Sequence, residues 1–219
     1  MLINADIEPN DRNPHSWLPL LGDPAGATGP RILYGVLRPC YRERRNSAAE
    51  FARSKINVKP ADGGDPWQLT AARAEILLPR GADDRLAEPR VLMEAVDAER
   101  PADKPVLLTY VTITFDTERL HHQYELVRSW AKEVLVDELG TGVLLVQHAP
   151  HRAASTQKPH VHLLVTRRIG PLGLASYVAP LCGDHGRKLI VDTFMPRFAL
   201  HNAVRTMPAP APPSGDETA

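Results

Sequence analysis

The apolar residues of this chain fall into short runs separated by proline-, glycine- and charge-rich stretches, and the runs differ in period. RILYGVL (31–37) predicts a strand. Pro39 then suits the start of a helix through CYRERRNSAAEFARSKI, which is mostly helix-forming. KPADGGDPW reads as a loop, and ARAEILLP as a strand that Pro79 closes. Pro89 fits the first turn of a helix whose VLMEAVDAE places apolar groups at 91, 92, 95 and 96. PVLLTYVTITF (105–115) is the clearest strand, β-branched through most of its second half. Asp116 and Thr117 are good N-caps for a long amphipathic helix over roughly 117–138. There Leu120, Tyr124, Val127, Ala131, Val134 and Leu135 recur at helical spacing and Gly140 provides a stop. GVLLVQH (142–148) and HVHLLVT (160–166) predict two further strands able to pair as a hairpin. The order β-α-β-α-β-α-β-β points to an α+β domain, an antiparallel-rich sheet with helices packed on one face. LIVDTFMPRF, near the end, predicts a final strand or helix packing on that sheet.

The flanks look different. Residues 1–30 hold five prolines and no sustained period, so a flexible N-terminal segment is expected there. The domain is expected over 31–200, with a Pro/Ala-rich tail over 201–219. Formal net charge is zero, yet it is unevenly spread: residues 1–60 carry 9 basic and 6 acidic groups, 61–140 carry 9 and 16, and 141–219 carry 8 and 4. An acidic middle between basic flanks permits local binding of a polyanion, although solvated charge faces give the same count. Cys40 and Cys182 show no CxxC spacing and suggest neither a disulfide framework nor a zinc knuckle, which leaves a reduced, cytoplasmic setting as the expectation. No secretory signal pattern and no apolar run of membrane-spanning length is present.

The chemistry concentrates in KPHVHLLVTRR (158–168). Side chains alternate across a strand, so His160 and His162 share one face while Val161 points away. His148 ends the preceding predicted strand. If the two strands pair, the three imidazoles meet at the loop side, with His151 in the loop as a rival third ligand. Neutral imidazoles suit Mn, Zn, Ni or Cu, and three ligands leave positions open for a substrate oxygen. Such an ion could polarise a phosphodiester. Two half-exposed strand histidines without a metal would give the same HxH spacing.

The segment from Glu75 to Arg168 resembles the MobA/MobL-type relaxases, HUH endonucleases that nick plasmid DNA at a transfer origin. AEILLPRGA and LMEAVDAER look like the family's LP strand and following helix. YVTITFDTERLHHQYELVRSWAKEVLVDELGTGVLLVQHA is similar to the strand, long helix and strand before the metal motif. KPHVHLLVTRR matches a pattern NPHxHxxxTxR, and ILYGVL with NSAAEFARSK looks like the opening strand and first helix. The resemblance implies an HUH relaxase-like fold over roughly 31–170 and a divalent ion, Mn or Mg with Zn or Ni as further options, on His148, His160 and His162. It also implies single-stranded DNA at a transfer origin as partner, with accessory mobilisation proteins. Basic residues of the first helix (Arg42, Arg44, Arg45, Arg53, Lys55) and those after the HUH strand (Arg167, Arg168) would then contact phosphates, making binding salt-sensitive.

The family's nucleophile is a tyrosine in a pattern like SAxxxAAYR, which attacks the phosphate to leave a 5′-phosphotyrosyl link. Here the pattern lands on Ser54 by count from Ser47, or on Phe51 by aromatic match. The nearest phenols are Tyr41, expected on the same helix, and Tyr34 on the strand before it. Thr112 stands where an acid is expected. Three readings follow: a nickase using Tyr41, or Tyr34 as runner-up; a degenerate member that binds metal and single-stranded DNA without cleavage; and a histidine-triad nucleotide hydrolase, for which Leu164 occupies the third histidine's place.

Overall fold

The computed structural model describes residues 1–23, 29–59, 61–101, 103–116, 119–150 and 156–206. Their strands are β1 (Leu20–Gly22), β2 (Arg31–Leu37), β3 (Cys40–Tyr41), β4 (Arg44–Arg45), β5 (Arg73–Leu77), β6 (Leu108–Thr114), β7 (Thr141–His148), β8 (His160–Gly170) and β9 (Gly173–Leu174). The helices are α1 (Ala48–Ile56), α2 (Pro89–Ala98), α3 (Leu120–Trp130) and α4 (His185–Thr206), with short 3-10 turns at Pro14–Ser16, Asp84–Ala87 and Ala179–Cys182. The main sheet runs β1-β2-β6-β8-β7-β5, every pair antiparallel, with β9 folded back on β8. The class is α+β with a large antiparallel sheet, and β2-α1-β5-α2-β6-α3-β7-β8 keeps the order expected from the sequence.

The helices do not lie on one face. Val111 and Ile113 of β6 pack with Tyr124, Val127 and Trp130 of α3 and with Ile190 and Phe194 of α4. Leu108 and Tyr110, on the alternate positions of the same strand, pack with Phe51 and Ala52 of α1 and Leu92, Met93 and Val96 of α2. Both faces are therefore covered, which is why β6 reads as a near-continuous apolar run instead of an alternation. Each large side chain sealed in these layers, Trp130 and Phe51 among them, contributes about 1.5–3 kcal/mol of apolar burial.

Three local expectations are corrected. The stretch after β2 does not begin a helix at Pro39. Cys40–Tyr41 and Arg44–Arg45 form a small hairpin turned by Arg42 in the left-handed region (φ 52°), and α1 starts only after Ser47, whose hydroxyl accepts from the Glu50 amide at 3.1 Å. The Ser47 cap outweighs the helix propensity of the preceding arginines because it satisfies an otherwise orphaned amide. The N-terminal segment contributes to the fold: β1 pairs with β2, and Trp17, Leu18 and Leu20 are buried against Phe51 and Leu37. LIVDTFMPRF, by contrast, takes the helical of its two expected forms, inside α4, with Pro196 within the helix. Within the expected long helix, the chain passes at Ala131–Glu138 into a π-helix, so that Val134, Leu135 and Val136 are all buried in succession. The expected cap Thr117 and the residues from 207 onward lie outside the described residues. No helix among the described residues is long and apolar enough to cross a membrane.

Candidate metal centre

Register assembles the site. His148 of β7 pairs directly with His160 of β8, and His160 is matched on its other side by Thr114 of β6, itself opposite Arg31 of β2. One row across four strands thus reads Arg31, Thr114, His160, His148, and the next reads Leu33, Thr112, His162, Val146. The three histidines share the face covered by α1, and ligand nitrogens from all three lie within 4.8 Å of one another. His151 lies outside the described residues.

The outward nitrogens of this trio are occupied. His148 Nε2 lies 2.7 Å from the carbonyl of Lys55 at the end of α1, so it donates there and leaves Nδ1 facing inward. His160 Nδ1 lies 2.8 Å from the Lys158 carbonyl, which leaves its Nε2 free. His162 Nδ1 meets the Tyr110 hydroxyl at 2.7 Å and Thr112 Oγ1 at 3.0 Å. His15, from the N-terminal segment, closes the series with its Nε2 2.7 Å from the same phenol. If Tyr110 donates to His15 it accepts from His162 Nδ1, and His162 Nε2 then also presents a lone pair inward. That nitrogen is 3.1 Å from His148 Nδ1. Two imidazoles bound to one ion at about 2.0–2.1 Å would have nitrogens about 3.0–3.4 Å apart. The residues fit a metal ion, and the outer partners fix each tautomer as metal ligands require.

Electrostatics agree. Burial, then the His148 imidazole and Lys55, pushes His162 well below the usual histidine range, and burial followed by Lys55 brings His15 down to about 2. Burial brings His148 down to about 4 against its bond to Lys55, and lowers His160 as well. All four are neutral at pH 7, the form that ligates. Lys55 is itself 3% exposed, its ammonium 4.8 Å from the Phe51 ring centre and 5.1 Å from that of Tyr110, and burial lowers it to about 7. Tyr110→Phe should weaken Mn²⁺ binding about 10- to 100-fold, as loss of an outer-shell partner does. Isothermal titration of the variant checks this, and unchanged affinity would remove Tyr110 from the site.

The phenols fall elsewhere. Tyr34 is fully buried on the opposite face of the sheet, donating to the carbonyls of Leu181 and Gly183, and a methyl group at Gly186 would collide with its hydroxyl. Tyr41 is half-buried on the β3–β4 hairpin near the start of α1, whereas His148 meets the end of that helix. Eight residues of helix separate Ser47 from Lys55, about 12 Å. Tyr124 donates to Glu75 and Tyr177 to the Val106 carbonyl. Of the five tyrosines, Tyr110 alone touches the histidines, and its hydroxyl is held between two of them. Phe51 is core, and Ser54 donates to the Phe51 carbonyl.

Of the basic residues expected on DNA, Lys55 lies at the histidines but is buried there, and the arginines are not gathered at them. Arg42 pairs with Glu8, and Arg44 with Asp11 and Glu50, while Arg45 is exposed beside them. Arg53 is half-buried on α1. Arg167 bonds the Glu99 carbonyl and Arg168 that of Leu139. These last two sit seven or more residues along β8 from His160, roughly 23 Å. His15 and Tyr110 were missed by sequence reasoning. Tyr110 shares the parity of Thr112 on β6 and was findable from it, whereas His15 sits among prolines with no period to flag it.

No family model matches the sequence, and no curated protein matches it. Among solved structures, one from Staphylococcus aureus, determined in work on the molecular basis of vancomycin resistance transfer, shares the fold with a TM-score of 0.55 at 18% identity. The match covers 74% of this chain and 88% of that one. At that identity the likeness shows a shared fold.

Proposed function

We propose that this protein binds a divalent ion, Mn²⁺ or Mg²⁺, on His148, His160 and His162 and uses it to hold a phosphodiester of single-stranded DNA at a plasmid transfer origin. The observation that carries this reading is the inward convergence of three neutral imidazoles whose outer nitrogens are occupied. A bound ion there would supply Lewis-acid polarisation of a phosphate oxygen. Lys55 orients His148 through its carbonyl, and Tyr110 with Thr112 orients His162. Tyr41 and Tyr34 lie away from the histidines and the Tyr110 hydroxyl is held between His15 and His162, which favours as first reading binding without covalent cutting, in a cytoplasmic setting and with accessory mobilisation proteins as further partners. The second reading, a working nickase, is favoured by one observation. Tyr41 lies on a hairpin tethered to the N-terminal segment by exposed ion pairs such as Arg42–Glu8, and such pairs contribute only about 0–1 kcal/mol each.

Fluorescence anisotropy with a labelled origin-derived oligonucleotide tests the first reading. Binding should require Mn²⁺ or Mg²⁺ and be reversed by a chelator; binding indifferent to the chelator would overturn it. A denaturing gel of the same mixture separates the two readings. No protein–DNA adduct is expected from the wild type, whereas an adduct that vanishes in Tyr41→Phe would establish the nickase.

A further inference from the structure

A cavity of about 430 Å³ opens beside His160, walled by His15, Arg31, Thr112, Thr114 and Lys158. Its geometry follows from the same register that builds the histidine trio. Arg31 stands in the His160 row, two strands away, so its backbone lies about 10 Å from that of His160. The Arg31 side chain is half-buried at the start of β2, and its Nε is shielded from solvent with no hydrogen-bond partner. A buried guanidinium N–H without an acceptor is costly, and an incoming anion would relieve that cost. Thr112 and Thr114 line the same space. Lys158, across the cavity, is paired with Asp116 at 2.6 Å, which neutralises the one carboxylate on the wall.

We propose that this cavity is a nucleotide subsite: it takes the phosphate of the unit adjoining the one held at the histidines, with Arg31 as its principal ligand. The assignment rests on the reading of single-stranded DNA as substrate. It moves phosphate recognition away from Arg42 and Arg44 of the β3–β4 hairpin, which are already paired with acidic groups, and onto Arg31 of β2. A planar guanidinium presents two N–H groups to one phosphate, which a lysine cannot do. Thr114 adds a hydroxyl on the wall from the strand between Arg31 and the histidines.

The test compares wild type, Arg31→Ala and Arg31→Lys by calorimetry with Mn²⁺, with dTMP and with an origin-derived oligonucleotide. Arg31→Ala should weaken oligonucleotide binding at least tenfold and abolish dTMP binding while leaving Mn²⁺ affinity within twofold of wild type. Arg31→Lys should keep the fold and still bind dTMP several-fold more weakly than wild type, which guards against a misfolded alanine variant. Equal dTMP and oligonucleotide affinities in all three proteins would overturn the subsite. If wild type binds dTMP in an Arg31-dependent way but no oligonucleotide, the subsite stands and the DNA reading falls.

Discussion

Replacing His162 with alanine is expected to reduce Mn²⁺ affinity by more than 100-fold and to remove the metal-dependent part of oligonucleotide binding. His162 is 1% exposed and central to the trio, its ring centre 4.4 Å from that of His148 and 4.6 Å from that of His160. It alone connects the inward nitrogens to the Tyr110–His15 series. Loss of an outer-shell partner already costs about 10- to 100-fold, so loss of a direct ligand must exceed that. The substitution also leaves a cavity and removes one of the two hydrogen bonds of the Tyr110 hydroxyl, for which about 2–4 kcal/mol of stability is expected to be lost. Calorimetry with Mn²⁺, beside unfolding in urea, separates the two effects, and His121→Ala on the exposed side of α3 serves as the control. Wild-type metal affinity in His162→Ala would place the ion elsewhere.

Acidification of the metal-free protein should be the second large effect. Burial holds His148 at about 4 and His15 at about 2, and lowers His160 and His162, while each takes a proton near 6.5 in the unfolded chain. Between pH 6.5 and 4 the unfolded state therefore binds more protons than the folded state, and stability rises with pH across that window. The contribution is fully present above 6.5 and is lost as pH falls. His148 alone accounts for on the order of 3 kcal/mol, and the group together can remove much of a typical stability of about 5–15 kcal/mol. Urea unfolding followed by tryptophan fluorescence at pH 7, 5.5 and 4.5 should show a steep decline, and saturating Mn²⁺ should displace it to lower pH because the ion competes with protons for the same nitrogens. A flat profile would mean that the four imidazoles are accessible to solvent.

Much of this was legible in the sequence because period and punctuation agreed. RILYGVL coincides with β2 residue for residue, and Pro89 opens α2 as expected. The HxH parity and the hairpin pairing of β7 with β8 place the three histidines together without any tertiary information. What was not legible depended on contacts between distant segments. Helix propensity favoured a helix from Pro39, but the pairing of Tyr41 with Arg44 and the Ser47 cap decided otherwise. Residues 1–23 offer too short an alternation to announce β1, yet Trp17 finds Phe51 at 5.9 Å between ring centres and Arg44 stacks on its indole at 3.8 Å. The division of helices between two faces was readable in PVLLTYVTITF, where both parities are apolar.

The strand order carries a consequence for how the molecule assembles. β8 is inserted between β6 and β7, both of which precede it in the chain, and so the sheet consists of two halves until the last long strand arrives. The earlier halves, β1-β2-β6 and β7-β5, each expose an open edge of unpaired backbone until β8 fills the gap, and such edges invite intermolecular pairing. Two of the three candidate ligands sit at the leading end of that closing strand. Competence for metal and completion of the sheet are thus a single event, and a nascent or truncated chain that stops short of β8 has neither.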